Sequence, residues 1–254
     1  MEMSRNRFKQ AVRERRLQIG LWSSLCSNIG AEIISDAGFD WILLDTEHSP
    51  NELPGLLSQM QAIGTHDATP VVRAAWNDAV LIKRILDIGA RAVLVPYVQN
   101  AEEAKQAVAS VRYPPRGLRG VSAGSRASRY GRVADYLKKA DDEICLLVQV
   151  ETRAALTQLE AIADVDGVDG VFIGPSDLAA SFGHLGNVQA PEVQSAIRDA
   201  AARLGAVGRA CGILTVNEAD ARRYIEWGYR FVAVGIDTNL LARTADALAQ
   251  SFRR

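Results

Sequence analysis

Eight short apolar runs recur along the 254 residues, and each is followed by a longer stretch with apolar residues at helical spacing. This alternation is the pattern of strand–helix units around a parallel sheet, because a parallel neighbour is reached only by a crossover that a helix usually supplies. The runs are QIGLWSSL from Gln18, WILLD from Trp41, PVVRA from Pro70, AVLVP from Ala92, ICLLVQV from Ile144, GVFIG from Gly170, ACGIL from Ala210 and FVAVG from Phe231. The stretches between them carry their own boundary signals. In NEADARRYIEWG, Asn217 caps a helix and Gly228 stops it; DAVLIKRILDIGA runs in the same way from Asp78 to Gly89. No linker or shift of composition interrupts the series, and SSLCSNIG after the first run is not the Gly-rich phosphate loop of a doubly wound sheet. The expectation is one α/β domain over residues 1–254, a closed (β/α)8 TIM barrel, which typically needs about 250 residues.

Composition narrows the partners. A formal charge of -1 gives no global attraction to nucleic acid or membranes. No apolar run approaches the roughly 18 residues of a membrane span. The N-terminal MEMSRNRFKQAVRERR reads as a basic helix without the apolar core of a signal peptide. Cys26, Cys145 and Cys211 stand singly, neither in zinc-ligand pairs nor as an even disulfide set, so reduced, mostly packed thiols and a cytoplasmic location are expected.

One connection is longer than the rest. RYPPRGLRGVSAGSRASRYG carries turn residues throughout, and with Arg132 directly after it the connection holds six arginines from Arg112 to Arg132. Loops of this length are often functional or interfacial. The arginines could meet an anionic substrate, a neighbouring subunit or solvent.

In such a barrel the chemistry sits at the C-terminal ends of the strands. The second run ends in DTEHSPN, which places Asp45, Glu47 and His48 there; an imidazole held by a nearby acid such as Asp45 can move protons near neutral pH. The third ends in Arg73, an obligate cation that needs an anionic substrate or an ion-pair partner such as Glu47. Leu147, Gln149 and Glu151 share one face of the fifth strand, directed into the barrel. After the sixth, Gly174 turns the chain, Pro175 opens a helix and Asp177 lies in its first turn, where Ser176 or Asp177 could also serve as a cap. Glu151 and Asp177, one strand apart and without cysteine or histidine clusters, suit a hard divalent cation such as magnesium, manganese or cobalt. The amides that follow Gly174 suit a carboxylate or phosphate. A chelating 2-oxo acid fits both features. His66 and His184 fall in loop or helix-flanking sequence and are read as structural. All five lysines fall in helical stretches, which argues against a Schiff-base nucleophile.

GFDWILLDTEHSPN, PVVRAAWND, LVPYVQN, YPPRGLRG, QVETRAAL and GVDGVFIGPSDLAASFG, in this order between about Phe8 and Ala249, resemble the HpcH/HpaI aldolase family of metal-dependent pyruvate aldolases. The resemblance implies Glu151 and Asp177 as metal ligands, Arg73 as the contact to the keto oxygen and enolate, and His48 with Asp45 as an acid/base dyad. It implies Gln149 near the substrate oxygens and the Ser176 and Asp177 amides on the pyruvate carboxylate. Asp87 matches an aspartate that reaches a neighbouring subunit's site. Homo-oligomers, hexamers in the family, with the last helix exchanged between barrels, are likewise implied. Thr46, Ser49 and Ser176 replace residues common in the family without removing a charge or ligand.

The expected activity is therefore reversible aldol cleavage of a 4-hydroxy-2-oxo acid to pyruvate and an aldehyde, with small-molecule partners and no nucleic acid or membrane. The alternatives are an acyl-CoA lyase of the citrate-lyase or malyl-CoA-lyase type, its CoA phosphates on the Arg-rich loop, and a non-catalytic barrel that binds oxo acids.

Overall fold

A computed structural model describes residues 1–253. Among them eight parallel strands follow one another around a closed barrel, and the last pairs back onto the first. They are β1 (Gln18–Ser23), β2 (Trp41–Asp45), β3 (Thr69–Arg73), β4 (Ala92–Val95), β5 (Cys145–Val150), β6 (Gly170–Ile173), β7 (Ala210–Leu214) and β8 (Phe231–Ile236). Each lies within two residues of its apolar run. A first helix, α1 (Arg7–Arg13), precedes the barrel. The outer layer continues with α2 (Asn28–Ser35), α3 (Leu53–Ile63), α4 (Ala79–Asp87), α5 (Ala101–Val111), α6 (Tyr136–Glu143), α7 (Arg153–Leu156), α8 (Leu159–Ala163), α9 (Pro175–Ser181), α10 (Pro191–Ala206), α11 (Glu218–Trp227) and α12 (Asp237–Ser251). The boundary signals act as expected. Asn217 accepts from the Asp220 amide, Asp78 accepts from Val80 and Leu81, and Gly228 ends α11 with φ +108.

Alternation along each strand divides the apolar residues between two cores. Leu44, Val72, Leu146, Val148 and Val171 face the helices, while Leu43, Val71, Cys145, Leu147, Phe172 and Phe231 fill the barrel. Phe8 of α1 joins the inner set, 5.7 Å from Trp41 and 6.4 Å from Phe231 between ring centroids. This explains why the basic N-terminal segment is ordered: one face of it plugs the barrel floor. Replacing Phe231 by Ala inside this stack would cost about 3–5 kcal/mol. Continuing upward on the same parity, the apolar layers give way to Asp45, Arg73 and Gln149, all buried. The polar residues at the strand ends are thus the top layer of the barrel filling.

The long connection between α5 and α6 contains a 3-10 turn at Arg126–Ser128. Its arginines are largely spent within the chain. Arg112 pairs with Asp166 at 3.0 Å, Arg116 with Asp141 at 2.9 Å and Arg119 with Asp87 at 3.1 Å, while Arg126 donates to the Ile88 carbonyl at 2.7 Å. Arg119 is fully buried, its guanidinium 4.5 Å above the Tyr113 ring. At the other end of the chain, α12 buries Asp237 and leaves Leu240, Leu241 and Leu248 exposed. Among the described residues no helix is long and apolar enough to cross a membrane.

Candidate active site

The β2–β3 register pairs Asp45 with Arg73, two inward-facing residues at the ends of neighbouring strands. Arg73 Nε donates to Asp45 Oδ1 at 2.8 Å and Nη2 to Oδ2 at 2.7 Å, a two-pronged contact that fixes the plane of the guanidinium. Glu47 Oε2 lies 2.7 Å from Nη1 as a second anion, and the Trp22 ring faces the guanidinium at 4.8 Å. Trp22 Nε1 also donates to Asp45 at 3.3 Å. Burial opposes ionisation of Asp45, yet its bonds from Arg73 outweigh that and hold its carboxyl below the usual range. Glu47 goes the other way: burial, aided by the charges of Asp45 and Asp177, outweighs Arg73 and raises it.

The contact expected between the His48 imidazole and Asp45 is not made in this arrangement. Both Asp45 oxygens are taken by Arg73, and what His48 gives Asp45 is its backbone N–H at 3.4 Å, not its imidazole. The Glu47 amide does the same at 3.0 Å, so Asp45 also shapes the turn that follows β2. Asp45 is the residue that orients Arg73. His48 is exposed and lines the cleft on its own.

Gln149 and Glu151 stand where strand parity puts them, both buried. Gln149 Nε2 donates to Glu151 Oε2, and the backbone N–H of Tyr97 donates to Oε1 at 2.9 Å. Tyr97 adopts φ +56 to present that amide, a left-handed conformation uncommon for a residue with a side chain. Gly174 packs against the same carboxylate. A Cβ there would lie 2.7 Å from Glu151 Cβ, 2.8 Å from Gln149 Nε2 and closer still to the carboxylate oxygen. Only glycine fits. Ser176 and Asp177 then begin α9 on the exposed rim of the cleft. Burial, together with the charges of Asp177 and Glu47, overcomes the Gln149 hydrogen bond and pushes Glu151 up to about 7. The mouth therefore holds more anionic charge than its own cation neutralises. Among the described residues no three His, Cys, Asp or Glu side chains form a metal cage. Two carboxylates, with Gln149 Oε1 buried and unpartnered beside them, fit a hard cation that completes its shell with water and ligand oxygens.

A cleft of about 1040 Å³ opens above this layer. Asp45, His48, Arg73, Gln149, Gly174, Ser176 and Asp177 line one part of it; Thr215, Asn217, Asp220, Asn239 and Arg243 line another. The model of the HpcH/HpaI aldolase/citrate lyase family matches residues 18–244, nearly all of the barrel and the site.

The chain belongs to the HpcH/HpaI aldolase/citrate lyase family.

Within this family it is 58% identical over 248 residues to a 4-hydroxy-2-oxo-heptane-1,7-dioate aldolase of Klebsiella pneumoniae, covering 97% of this chain and 94% of that one. It is 58% identical over 252 residues to a pyruvate aldolase of Rhizobium etli, covering 99% of both. A crystal structure of a family protein from Burkholderia cenocepacia superposes with a TM-score of 0.95 at 39% identity, over 98% of this chain and 100% of that one. As a member of the HpcH/HpaI family with aldolases as full-length relatives, the protein is an enzyme, a carbon–carbon lyase.

Several residues of this HpcH/HpaI site escaped the sequence reading. Trp22 has the inward parity of β1 and could have been found from alternation alone. The Tyr97 amide carries no side-chain signal. The far wall, from Thr215 to Arg243, gathers the ends of β7 and β8 with the start of α12, and no local motif marks it. Elsewhere, His66 pairs with Asp36 at 2.7 Å and His184 with Glu192 at 3.4 Å, both away from the cleft lining. Asp87, matched above to an inter-subunit role, is engaged by Arg119 of its own chain. Three arginines of the connection after α5, Arg112, Arg116 and Arg119, are each paired with an acid of the same chain.

Proposed function

We propose that this aldolase releases pyruvate and an aldehyde from a 4-hydroxy-2-oxo acid by way of the pyruvate enolate, with Arg73 as the group that stabilises it. The observation that carries this reading is the clamp on Arg73. Asp45 takes Nε and Nη2, Glu47 approaches Nη1 and Trp22 covers a face, so the guanidinium is preorganised at the barrel mouth. Charge fixed in advance where an oxyanion develops is the strongest single contribution such a site can make.

Glu151 and Asp177 would hold a divalent cation, magnesium, manganese or cobalt, which when bound supplies Lewis-acid polarisation of the 2-oxo carbonyl. Gln149 keeps the Glu151 carboxylate in place and offers Oε1 to the mouth. The amides of Ser176 and Asp177, with Gly174 leaving them open to the cleft, take the substrate carboxylate. His48 accepts the proton of the C4 hydroxyl, directly or through water. As that O–H opens into the aldehyde carbonyl, the C3–C4 bond breaks and its electron pair passes to C3 and the keto oxygen, where Arg73 meets the enolate. Reprotonation at C3 gives pyruvate, and reversal gives aldol addition.

The protein would work in the cytoplasm, which suits three free cysteines. It would assemble as a homo-oligomer, a hexamer by family resemblance, with the exposed leucines of α12 against a second copy.

The test couples pyruvate release to lactate dehydrogenase, on protein stripped with chelator and resupplied with each metal in turn. Activity that vanishes and returns is expected, and Arg73→Ala should lower kcat far more than it raises KM. Indifference to the chelator would overturn the roles of Glu151 and Asp177. Absence of pyruvate from every 4-hydroxy-2-oxo acid tried would overturn the reaction itself.

A further inference from the structure

The carboxylate of Glu151 owes its position to a loop that carries no side chain assigned to the chemistry. Between β4 and α5 the chain turns at Tyr97, whose φ of +56 costs a residue with a side chain about 1–3 kcal/mol and persists only where several contacts hold it. Three do. Its N–H donates to Glu151 Oε1 at 2.9 Å, its carbonyl accepts from Gln99 Nε2 at 3.2 Å, and its ring stacks on Trp76 with centroids 5.7 Å apart. Gln99 is itself anchored. Its Oε1 accepts from the Thr152 hydroxyl at 2.6 Å, and its backbone N–H donates to Glu103 Oε2 at 2.8 Å. Thr152 follows Glu151 directly and caps α7, its oxygen accepting from the Ala155 amide at 3.0 Å. A closed ring therefore runs from the Tyr97 amide to Glu151, along the backbone to Thr152, through the Gln99 side chain and back to the Tyr97 carbonyl.

We propose that Gln99 is a positioning residue for the cation site: by bridging the Tyr97 carbonyl to Thr152 it keeps the Tyr97 amide on Glu151 and so fixes the carboxylate as a ligand. This inference rests on the reading of Glu151 as a metal ligand given above. A glutamine suits the place because the bridge needs a donor and an acceptor at once, and its amide offers both. Gln149 holds only the Oε2 oxygen; among the described residues Oε1 has the Tyr97 amide alone. Without the bridge, Tyr97 relaxes toward a negative φ, its amide turns away and the carboxylate is free to rotate. Removing a group that orients a metal ligand typically costs about 10–100-fold in metal affinity. Gln99 acts one hydrogen bond further out, so its effect lies at or below the lower end of that range.

The test titrates manganese(II) into chelator-treated protein without substrate and reads the free ion by its electron paramagnetic resonance signal, with thermal unfolding in parallel. Gln99→Leu should raise the Kd for manganese about three- to tenfold in protein that is folded at the assay temperature. Thr152→Val breaks the same bridge from its other end and should raise Kd by a similar factor; Thr152→Ser keeps the hydroxyl and should bind as the wild type does. Because both changes remove one shared bridge, the double variant should bind no more weakly than the weaker single one. Glycine adopts φ +56 without strain, so Tyr97→Gly should recover part of the affinity lost in Gln99→Leu. A lowered Tm with an unchanged Kd would make Gln99 merely structural and overturn the proposal, as would losses in the double variant that multiply. Failure of the glycine to recover any affinity would overturn the part given to the Tyr97 backbone. If instead the wild-type protein binds no manganese, or Glu151→Gln binds it equally well, the metal reading itself falls and this inference with it.

Discussion

Replacing Gly174 by alanine adds a single methyl group to the most crowded point of the mouth. The new Cβ would lie 2.7 Å from Glu151 Cβ and 2.8 Å from Gln149 Nε2. Carbon atoms pack at about 3.5–4.0 Å, so the pair is short by roughly 1 Å. Glu151 cannot simply swing aside, because it is buried, its carboxylate is held by Gln149 and the Tyr97 amide, and its backbone continues β5. The strain should cost about 1–3 kcal/mol, the usual range for overpacking. For a domain of this size that is a fall in Tm of about 2–4 °C for each kcal/mol. The functional effect should be larger than the structural one. A displacement of about 1 Å in a positioning group typically lowers the rate some hundredfold. The assay is pyruvate release with a manganese titration, alongside thermal unfolding. Gly174→Ala should remain folded, need more metal for half-maximal activity and reach a lower kcat at saturation. A variant with wild-type kcat/KM and an unchanged metal requirement would refute the argument that Glu151 must stay where the glycine allows it.

Two further outcomes separate the roles assigned above. Asp45→Asn strips the buried Arg73 of its two-pronged counterion, so it should lose about 3–5 kcal/mol of stability and most of its kcat. The pH limb of kcat should stay in place in that variant and disappear in His48→Asn; a limb that moves with Asp45 instead would restore the carboxylate as the proton carrier. In chelator-treated protein, Glu151 binds its proton more tightly folded than unfolded, because the folded value is raised to about 7. Stability contributed by the protonated form is complete at low pH and lost as pH rises through that value, so Tm should fall between about pH 5 and pH 7. Glu151→Gln should flatten this slope, and a Tm that climbs over the same window would show the sign to be wrong.

Much of this was legible because two periods coexist in the chain. The apolar runs mark all eight strands, and period-two alternation carries Leu147 to Gln149 and Glu151 on the inner face. Asp45 and Arg73 were identifiable as residues of the mouth, and Glu47 as a partner for the arginine. Their grouping was not. Which acid holds Arg73 depends on the β2–β3 register, and proximity in sequence suggested that Asp45 would serve His48. The arginines after α5 show the same limit from the other side. A cluster of six reads as a surface, yet Arg119 is one of the most buried side chains in the protein, because Tyr113 and Asp87 are brought to it from elsewhere. Local periodicity records which way a side chain points, and pairing depends on what the other strands bring to that side.

The bond network of Asp237 has a consequence for how the enzyme comes into being. Its carboxylate, at the start of α12, accepts from the Ser23 hydroxyl at 2.8 Å and from the amides of Ser24 at 2.8 Å and Leu25 at 3.2 Å, residues more than 200 positions earlier. Closing so long a span costs little more entropy than closing half of it, since the cost grows only with the logarithm of length. It does, however, place the decisive contact last. During synthesis β1 waits with an unpaired edge until β8 has emerged, and the loop that carries Ser24 to the cleft has no anchor before Asp237 arrives. A chain stopped short of that residue would contain every acid and base assigned to the chemistry, yet would lack the tie that holds the loop after β1 and the part of the cleft wall that α12 supplies.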